Sequence, residues 1–335
     1  MKTNLGNGTN FYRASEREAN QLLLLTLFAG RGGIFALMKI RLELAGRYFA
    51  GLLLLLAVAA PAWAGPPQIV VDVARFRNLN KVEKGAEVEI YVTVPTQSLV
   101  YRQRAPKMFQ SSATVLLEII KADGKPAFRE LVALRPPPLT DTTLSIKNPQ
   151  SFLKRILLPD GKYTLRATVR DQYRPATAAG TAIVERPLLL EVPATAFLTD
   201  IVLLARPAVK NAGIDNFNRG GYRLSRTPGG TYGRGAETLY FYTELHNGLA
   251  GQSLRVQYRL AAPGSPAAAP VEISITPESG RPAVVLGQLP LTSLPTGEFA
   301  VLVDVFDGKK LLTSQRVTAR RTEADFAPAA APPMR

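Results

Sequence analysis

Tyr163-Thr-Leu-Arg-Ala-Thr-Val-Arg170 is the stretch that decides the fold. Tyr163, Leu165, Ala167 and Val169 point to one side of an extended chain, while Thr164, Arg166, Thr168 and Arg170 point to the other. An apolar face backed by a polar one at period two is the pattern of a half-buried antiparallel strand. Leu254-Arg-Val-Gln-Tyr-Arg-Leu260 alternates in the same way. Ile69–Ala74, Glu87–Val94, Thr114–Ile120 and Leu239–Leu245 also read as strands, and no long amphipathic helical period interrupts them. Asp123-Gly124, Asp160-Gly161, Asn247-Gly248 and Asp307-Gly308 supply hairpin turns between them.

A weak repeat divides the strands into two sets. Leu158-Pro-Asp-Gly-Lys-Tyr163 leads into a strand ending Val169-Arg-Asp171, and Leu294-Pro-Thr-Gly-Glu-Phe299 leads into one ending Val305-Phe-Asp307. The offset matches the size of one sandwich domain. In each, a Pro-x-Gly turn launches a strand whose first aromatic plugs the end of the sandwich, as in the aromatic corner of immunoglobulin-like domains. The expected fold is therefore all-β, with two tandem immunoglobulin-like or macroglobulin-like antiparallel β-sandwich domains. The first is expected over residues 66–190 and the second over 195–321, with a linker near Arg186–Ala196. Residues 322–335 are an Ala/Pro-rich tail expected to be disordered.

The sandwiches follow an export signal. From Met38, Lys39, Arg41 and Arg47 form a basic start, Gly51–Ala60 an apolar run, and Ala62 and Ala64 the small residues a signal peptidase requires. The signal peptide spans 38–64 and the mature chain begins at Gly65. The apolar run falls short of the ~20 residues a spanning helix needs, so no transmembrane segment is expected in the mature form. No cysteine follows the run, which excludes a lipoprotein anchor. Residues 1–37 precede a complete signal and read as an extension from a wrongly chosen upstream start codon.

Composition removes several chemistries. The 335 residues contain no cysteine, which excludes disulfides, thiolate metal sites and a cysteine nucleophile. A single histidine, His246, falls short of the imidazoles most catalytic zinc or iron sites need, and no cofactor is expected. The net charge is +15, and removing residues 1–64 leaves 34 basic against 23 acidic residues. That excess favours anionic glycan or lipid surfaces, or other envelope proteins. The charges are dispersed, and no nucleic-acid partner is expected.

His246 ends the Leu239–Leu245 strand and is expected to face solvent; no Gly-x-Ser-x-Gly elbow accompanies it. Asp200, Glu237 and Glu244 are available carboxylates without a spacing that pairs them. Asn218–Gly235 is the most unusual segment, setting Arg219, Arg223, Arg226 and Arg234 with Tyr222 and Tyr232 on a glycine-rich frame. Those six residues are the candidate ligand-binding set, arginines for anions and tyrosines for stacking. The alternative is a long hairpin whose tyrosines pack on the sandwich. Tyr101–Phe109 is a second basic–aromatic loop, expected to turn Tyr101 and Phe109 inward.

Several stretches resemble the N-terminal portion of bacterial GWxTD domain-containing proteins. They are Val71–Asn78, Tyr91–Pro95, Leu99–Tyr101 and Phe109 in the first half. Thr199–Ala205, Gly233–Asn247 and Leu294–Asp307 continue the likeness in the second. The resemblance implies an exported envelope protein built on sandwich domains. The chain departs from that family in lacking any Gly-Trp-x-Thr-Asp stretch, and its one tryptophan, Trp63, lies in the signal. The expected role is a non-enzymatic structural, adaptor or ligand-binding module in the periplasm or at the cell surface. A secreted hydrolase with a carboxylate or serine site in the second domain is the alternative.

Overall fold

A computed structural model describes residues 65–79, 85–143, 148–210, 216–264 and 268–325. The expected signal peptide, the extension before it and the last ten residues lie outside the described residues. Among those described, regular structure is β-strand, with three short 3-10 turns.

The first lobe contains β1 (Val70–Arg77), β2 (Ala86–Val94), β3 (Arg102–Ala105), β4 (Met108–Gln110) and β5 (Ala113–Lys121). It continues with β6 (Pro126–Leu134), β7 (Gln150–Leu158), β8 (Gly161–Asp171) and β9 (Thr181–Leu190). One sheet runs β1-β2-β7, the facing sheet runs β6-β5-β8-β9, and β3-β4 is a separate hairpin. In immunoglobulin lettering this is A-B-E against C′-C-F-G. Val88, Ile90 and Val92 from the first sheet meet Val115, Leu117, Ile119, Leu165 and Val169 from the second in one core. Each comes from an alternating strand, so period two alone builds the interior.

The second lobe repeats that plan. Its strands begin with β10 (Phe197–Leu198), β11 (Val202–Leu204), β12 (Val209–Lys210), β13 (Asn218–Arg219), β14 (Tyr222–Arg223) and β15 (Thr231–Arg234). They continue with β16 (Thr238–His246), β17 (Leu254–Ala261), β18 (Val271–Ile275), β19 (Ala283–Pro290), β20 (Gly297–Asp307) and β21 (Lys310–Asp325). In one sheet β10 and β11 pair with one edge of β16 and β19 with the other; the facing sheet runs β15-β21-β20-β17-β18. Leu239, Phe241, Val256, Val285, Phe299, Val301 and Val303 lie in its core.

The sequence repeat falls on equivalent strands. Gly161 and Gly297 open β8 and β20, the F strands of the two lobes, at φ of 157° and 137°. In the first lobe the Tyr163 hydroxyl donates to the Pro159 carbonyl at 3.0 Å, closing the corner. In the second, Phe299 is buried against Tyr232, ring centroids 6.4 Å apart.

Arg186–Leu190, inside the expected first domain (66–190) but also at the start of the expected linker, completes β9 by pairing with Gly161–Leu165. β21 continues past Arg321 to Asp325, where Arg234 of β15 pairs with it.

Candidate functional site

The two lobes meet through the outer faces of their A-B-E sheets. β2 (AEVEIYVTV) and β16 (TLYFYTELH) are buried on both faces for almost their whole length. Their inward residues fill the two cores. Glu87, Glu89 and Tyr91 on β2, with Tyr240, Tyr242, Glu244 and His246 on β16, face the seam. An apolar cluster of Ala74 and Phe76 with Val202, Leu204, Leu224 and Tyr242 seals it.

Between the sheets lies the segment that sequence reasoning marked as a ligand loop. Gly220 and Gly221, at φ of 55° and 81°, form the two-residue turn joining β13 to β14. Positive φ at both central positions is the type I′ geometry that suits a tight hairpin. At Gly220 a side chain would also strike the Tyr242 hydroxyl. The turn delivers Arg219 into the seam. Its Nε donates to Glu244 Oε1 at 2.8 Å, and its Nη1 donates to Glu87 Oε1 at 2.8 Å and Glu89 Oε1 at 3.0 Å. Arg226 Nη2 donates to the other oxygen of Glu89, and Arg155 Nε donates to Glu89 Oε1 at 2.7 Å. Three guanidinium groups thus face three carboxylates, and Glu89 and Glu244 are 0% and 2% exposed.

A buried charge is tolerated only when paired and hydrogen-bonded. Burial alone would raise the Glu89 pKa, but Arg226, Arg219 and Arg155 outweigh it and hold the carboxyl below its ordinary value. Glu244 is lowered likewise, because the hydrogen bond from His246 and the charge of Arg219 overcome desolvation. Burial presses the Arg226 pKa down, yet a guanidinium starts so high that it stays charged beside Glu89. The Tyr242 hydroxyl donates to Glu244 Oε1 at 2.7 Å, and burial, then the adjoining Glu244 charge, raises its pKa. Asp72 differs: desolvation raises its pKa even though Oδ2 accepts the Gly229 N–H at 2.8 Å.

The six candidate residues therefore separate. Arg219 and Arg226 join the seam. Tyr232 is fully buried and donates to the Leu204 carbonyl at 3.0 Å. Tyr222 and Arg223 are half-buried on β14, opposite Arg219 and Val209. Arg234 is exposed and bonds Asp325 Oδ1 at 2.9 and 3.0 Å. They do not gather into one external cradle, because the segment turns Arg219 and Arg226 toward the buried glutamates. In the Tyr101–Phe109 loop, Tyr101 and Phe109 are half-buried, while Arg102 and Arg104 stand outside against the Tyr173 ring, 5.0 and 5.1 Å from its centroid.

His246 is corrected from solvent-facing to buried. It is 3% exposed, its ring stacks on Phe197 with centroids 5.2 Å apart, and Nε2 lies 2.9 Å from Glu244 Oε2. β10 covers it by pairing Phe197 with His246. Asp200 is engaged with Arg75 of the first lobe, accepting from its Nη2 at 2.7 Å and its Nε at 2.8 Å, and Glu237 is exposed beside β16.

One edge of His246 reaches a cleft of about 830 Å³ between the lobes. Arg77, Asn78 and Asp160 line it from the first lobe, and Asn247, Glu278, Ser279 and Arg281 from the second. Asn247 sits at φ 52°, accepts from Arg77 Nη1 and donates from Nδ2 to the carbonyl oxygens of Ala194 and Thr195 at 3.2 Å. Among the described residues no hydrogen bond joins the Ser279 hydroxyl to the imidazole, and no group of three His, Asp or Glu side chains is placed to hold a metal ion. Also among the described residues, no helix is long and apolar enough to cross a membrane.

Sequence reasoning missed Glu87, Glu89 and Arg155. The available signal was Glu87-Val-Glu89, two acids on the outward side of a strand otherwise dominated by Val, Ile and Tyr.

No known family and no curated protein matches the chain. Solved structures resemble it distantly. Red sea bream transglutaminase aligns over 77% of this chain and 31% of its own, at 12% identity and a TM-score of 0.24. A β-glycosidase from Bacteroides vulgatus aligns over 70% and 26%, at 11% identity and a TM-score of 0.25. Bifidobacterium dentium β-glucuronidase, solved with coumarin-3-O-glucuronide, aligns over 76% and 48%, at 8% identity and a TM-score of 0.23. The chain thus spans less than half the length of each of these proteins.

Proposed function

We propose that the chain is an exported cell-envelope protein acting as a non-enzymatic, two-lobed β-sandwich module that holds partners instead of transforming a substrate. The observation that supports this reading is where the unusual charged residues go. Glu87, Glu89 and Glu244 are matched against Arg155, Arg219 and Arg226 inside the seam, with pKa shifts that keep Glu89 and Glu244 ionised. A carboxylate serving as a general acid needs the opposite shift, toward neutral pH. The same pairs make the two lobes one rigid support, on which outer sheet faces and hairpins such as Arg102–Gln110 remain available to partners. Those partners are other envelope proteins or an anionic glycan or lipid surface, favoured by the basic excess of the mature chain.

The test has two arms. Expression of residues 38–335 in a Gram-negative host should yield a mature protein beginning at Gly65 in the periplasmic fraction. Retention of the uncleaved chain in the cytoplasm would remove the export reading. The purified protein should resist labelling by a fluorophosphonate probe and leave a panel of aryl glycosides intact. Labelling of Ser279, or turnover that disappears in His246→Ala, would establish the hydrolase instead.

A further inference from the structure

The outer face of the β6-β5-β8-β9 sheet carries two neighbouring rows of side chains, one charged and one mostly apolar. The strand registers align its outward side chains in rows across the sheet. One row reads Arg129, Glu118, Arg166, Glu185 from β6 to β9, so charge alternates + − + − across the four strands. Arg129 Nε lies 3.4 Å from Glu118 Oε1, and Arg166 Nε donates to Glu185. The next row reads Leu131, Leu116, Thr168, Ile183. Leu131 and Ile183, at its two ends, are 65% and 59% exposed, so no described segment covers them. With Leu116 between them, they leave an aliphatic row open to solvent beside the charged one.

From this arrangement we infer that the face is the dimer interface of the protein, and that its occupant is the same sheet of a second copy. A two-fold axis running along the strands, between β5 and β8, brings β6 of one copy over β9 of the other and β5 over β8. Under that operation a + − + − row meets − + − +. Arg129 faces the partner copy's Glu185, and Glu118 faces its Arg166, each contact occurring twice. The same operation places Leu131 over Ile183, and Leu116 over Thr168. An axis running across the strands along this row would instead set Arg129 on Arg129 and Glu118 on Glu118, and the like charges oppose it. The charged row therefore selects the first arrangement, and the apolar row accommodates it, with Leu131 meeting Ile183 twice. Sheets packed face to face about 10 Å apart with a small inter-sheet angle leave the rows within reach of one another. Four strands of this length present on the order of 600 Å² per copy, below the ~800 Å² of a standard interface, so the dimer is reversible.

Sedimentation equilibrium of the mature chain over 1–500 μM, as experimental settings, tests the inference. A monomer–dimer equilibrium is expected within that range. Leu131→Glu and Ile183→Glu each place a carboxylate in the apolar row, and each should weaken dimerisation by about tenfold or more. Their side chains are exposed, so melting of the monomer should stay unchanged. The discriminating variant inverts the whole ladder: Arg129→Glu, Glu118→Arg, Arg166→Glu and Glu185→Arg together. Its row reads − + − +, which matches itself under the same axis but opposes the wild-type row. The inverted chain should dimerise with itself and fail to form mixed dimers with wild type in a fluorescence energy-transfer assay. A wild-type chain that stays monomeric to 500 μM would overturn the inference. So would a dimer indifferent to Leu131→Glu and Ile183→Glu, or free mixing of inverted and wild-type chains. Should the fourfold variant fail to fold, Glu185→Arg alone decides: it sets two cations face to face twice, and an unweakened dimer refutes the ladder.

Discussion

The guanidinium of Arg219 lies over the ring of Phe76, its Cζ 3.4 Å from the ring centroid. The cation belongs to the second lobe and the ring to the first. The same guanidinium donates to Glu87 and Glu89 of the first lobe and Glu244 of the second, so one side chain stitches two sandwiches together.

Replacing Arg219 with Met should therefore cost about 3–5 kcal/mol, because it leaves buried carboxylates facing one another without their shared partner. Urea unfolding of the wild type should follow one transition. Arg219→Met should lower the midpoint and separate the two lobes into two transitions. Arg219→Lys keeps the charge but loses the fork and the planar stack, and should fall between them.

The seam gives stability a definite dependence on acid. Glu89 and Glu244 have folded-state pKa values below their ordinary 4.5, so they contribute stability at and above that pH and lose it as pH falls through the folded values. Asp72 is shifted up from 3.8, so its sign is opposite: protonation on acidification relieves a cost carried at neutral pH. Asp72→Asn removes that relief. Its melting temperature should fall more steeply than that of the wild type as pH is lowered below about 5.

The aromatic corner offers a local test. Tyr163→Phe removes the hydroxyl bonded to the Pro159 carbonyl and should cost about 1 kcal/mol in chemical denaturation. Phe299 occupies the equivalent place in the second lobe and has no hydroxyl, so that lobe has no bond of this kind to lose.

Processing has a spectroscopic signature. Trp63 is the single tryptophan, and it lies on the expected signal side of Gly65. Secreted material should emit with the spectrum of tyrosine, whereas the full-length chain should show indole emission; an indole band from secreted material would place cleavage elsewhere.

The alternation of Tyr163–Arg170 and Leu254–Leu260 revealed β8 and β17 because each has one wet face and one dry face. The repeat of Leu158–Asp171 at Leu294–Asp307 likewise revealed the F strands of both lobes, since turn and corner are local chemistry. The seam was hidden for the opposite reason. β2 and β16 are dry on both sides, and the cover on their outer sides comes from residues far along the chain: Arg226 meets Glu89, 137 positions away. Local pattern cannot report such a partner, so Arg219 and Arg226 read as ligands for an outside anion and His246 read as exposed. β21 outran its expected end at Arg321 because its last residues pair with β15, a partner in the same distant loop.

That loop also has a mechanical meaning. After leaving β11 it crosses the seam, where it contributes Arg219, Leu224 and Arg226, and then lies parallel along the outer edge of β21, Tyr232 beside Arg321. One continuous strap thus clasps the two lobes and shields the open margin of the longest strand. A single nick within it by a protease would loosen both at once, freeing the halves to swing apart and baring an unpaired margin to neighbouring chains.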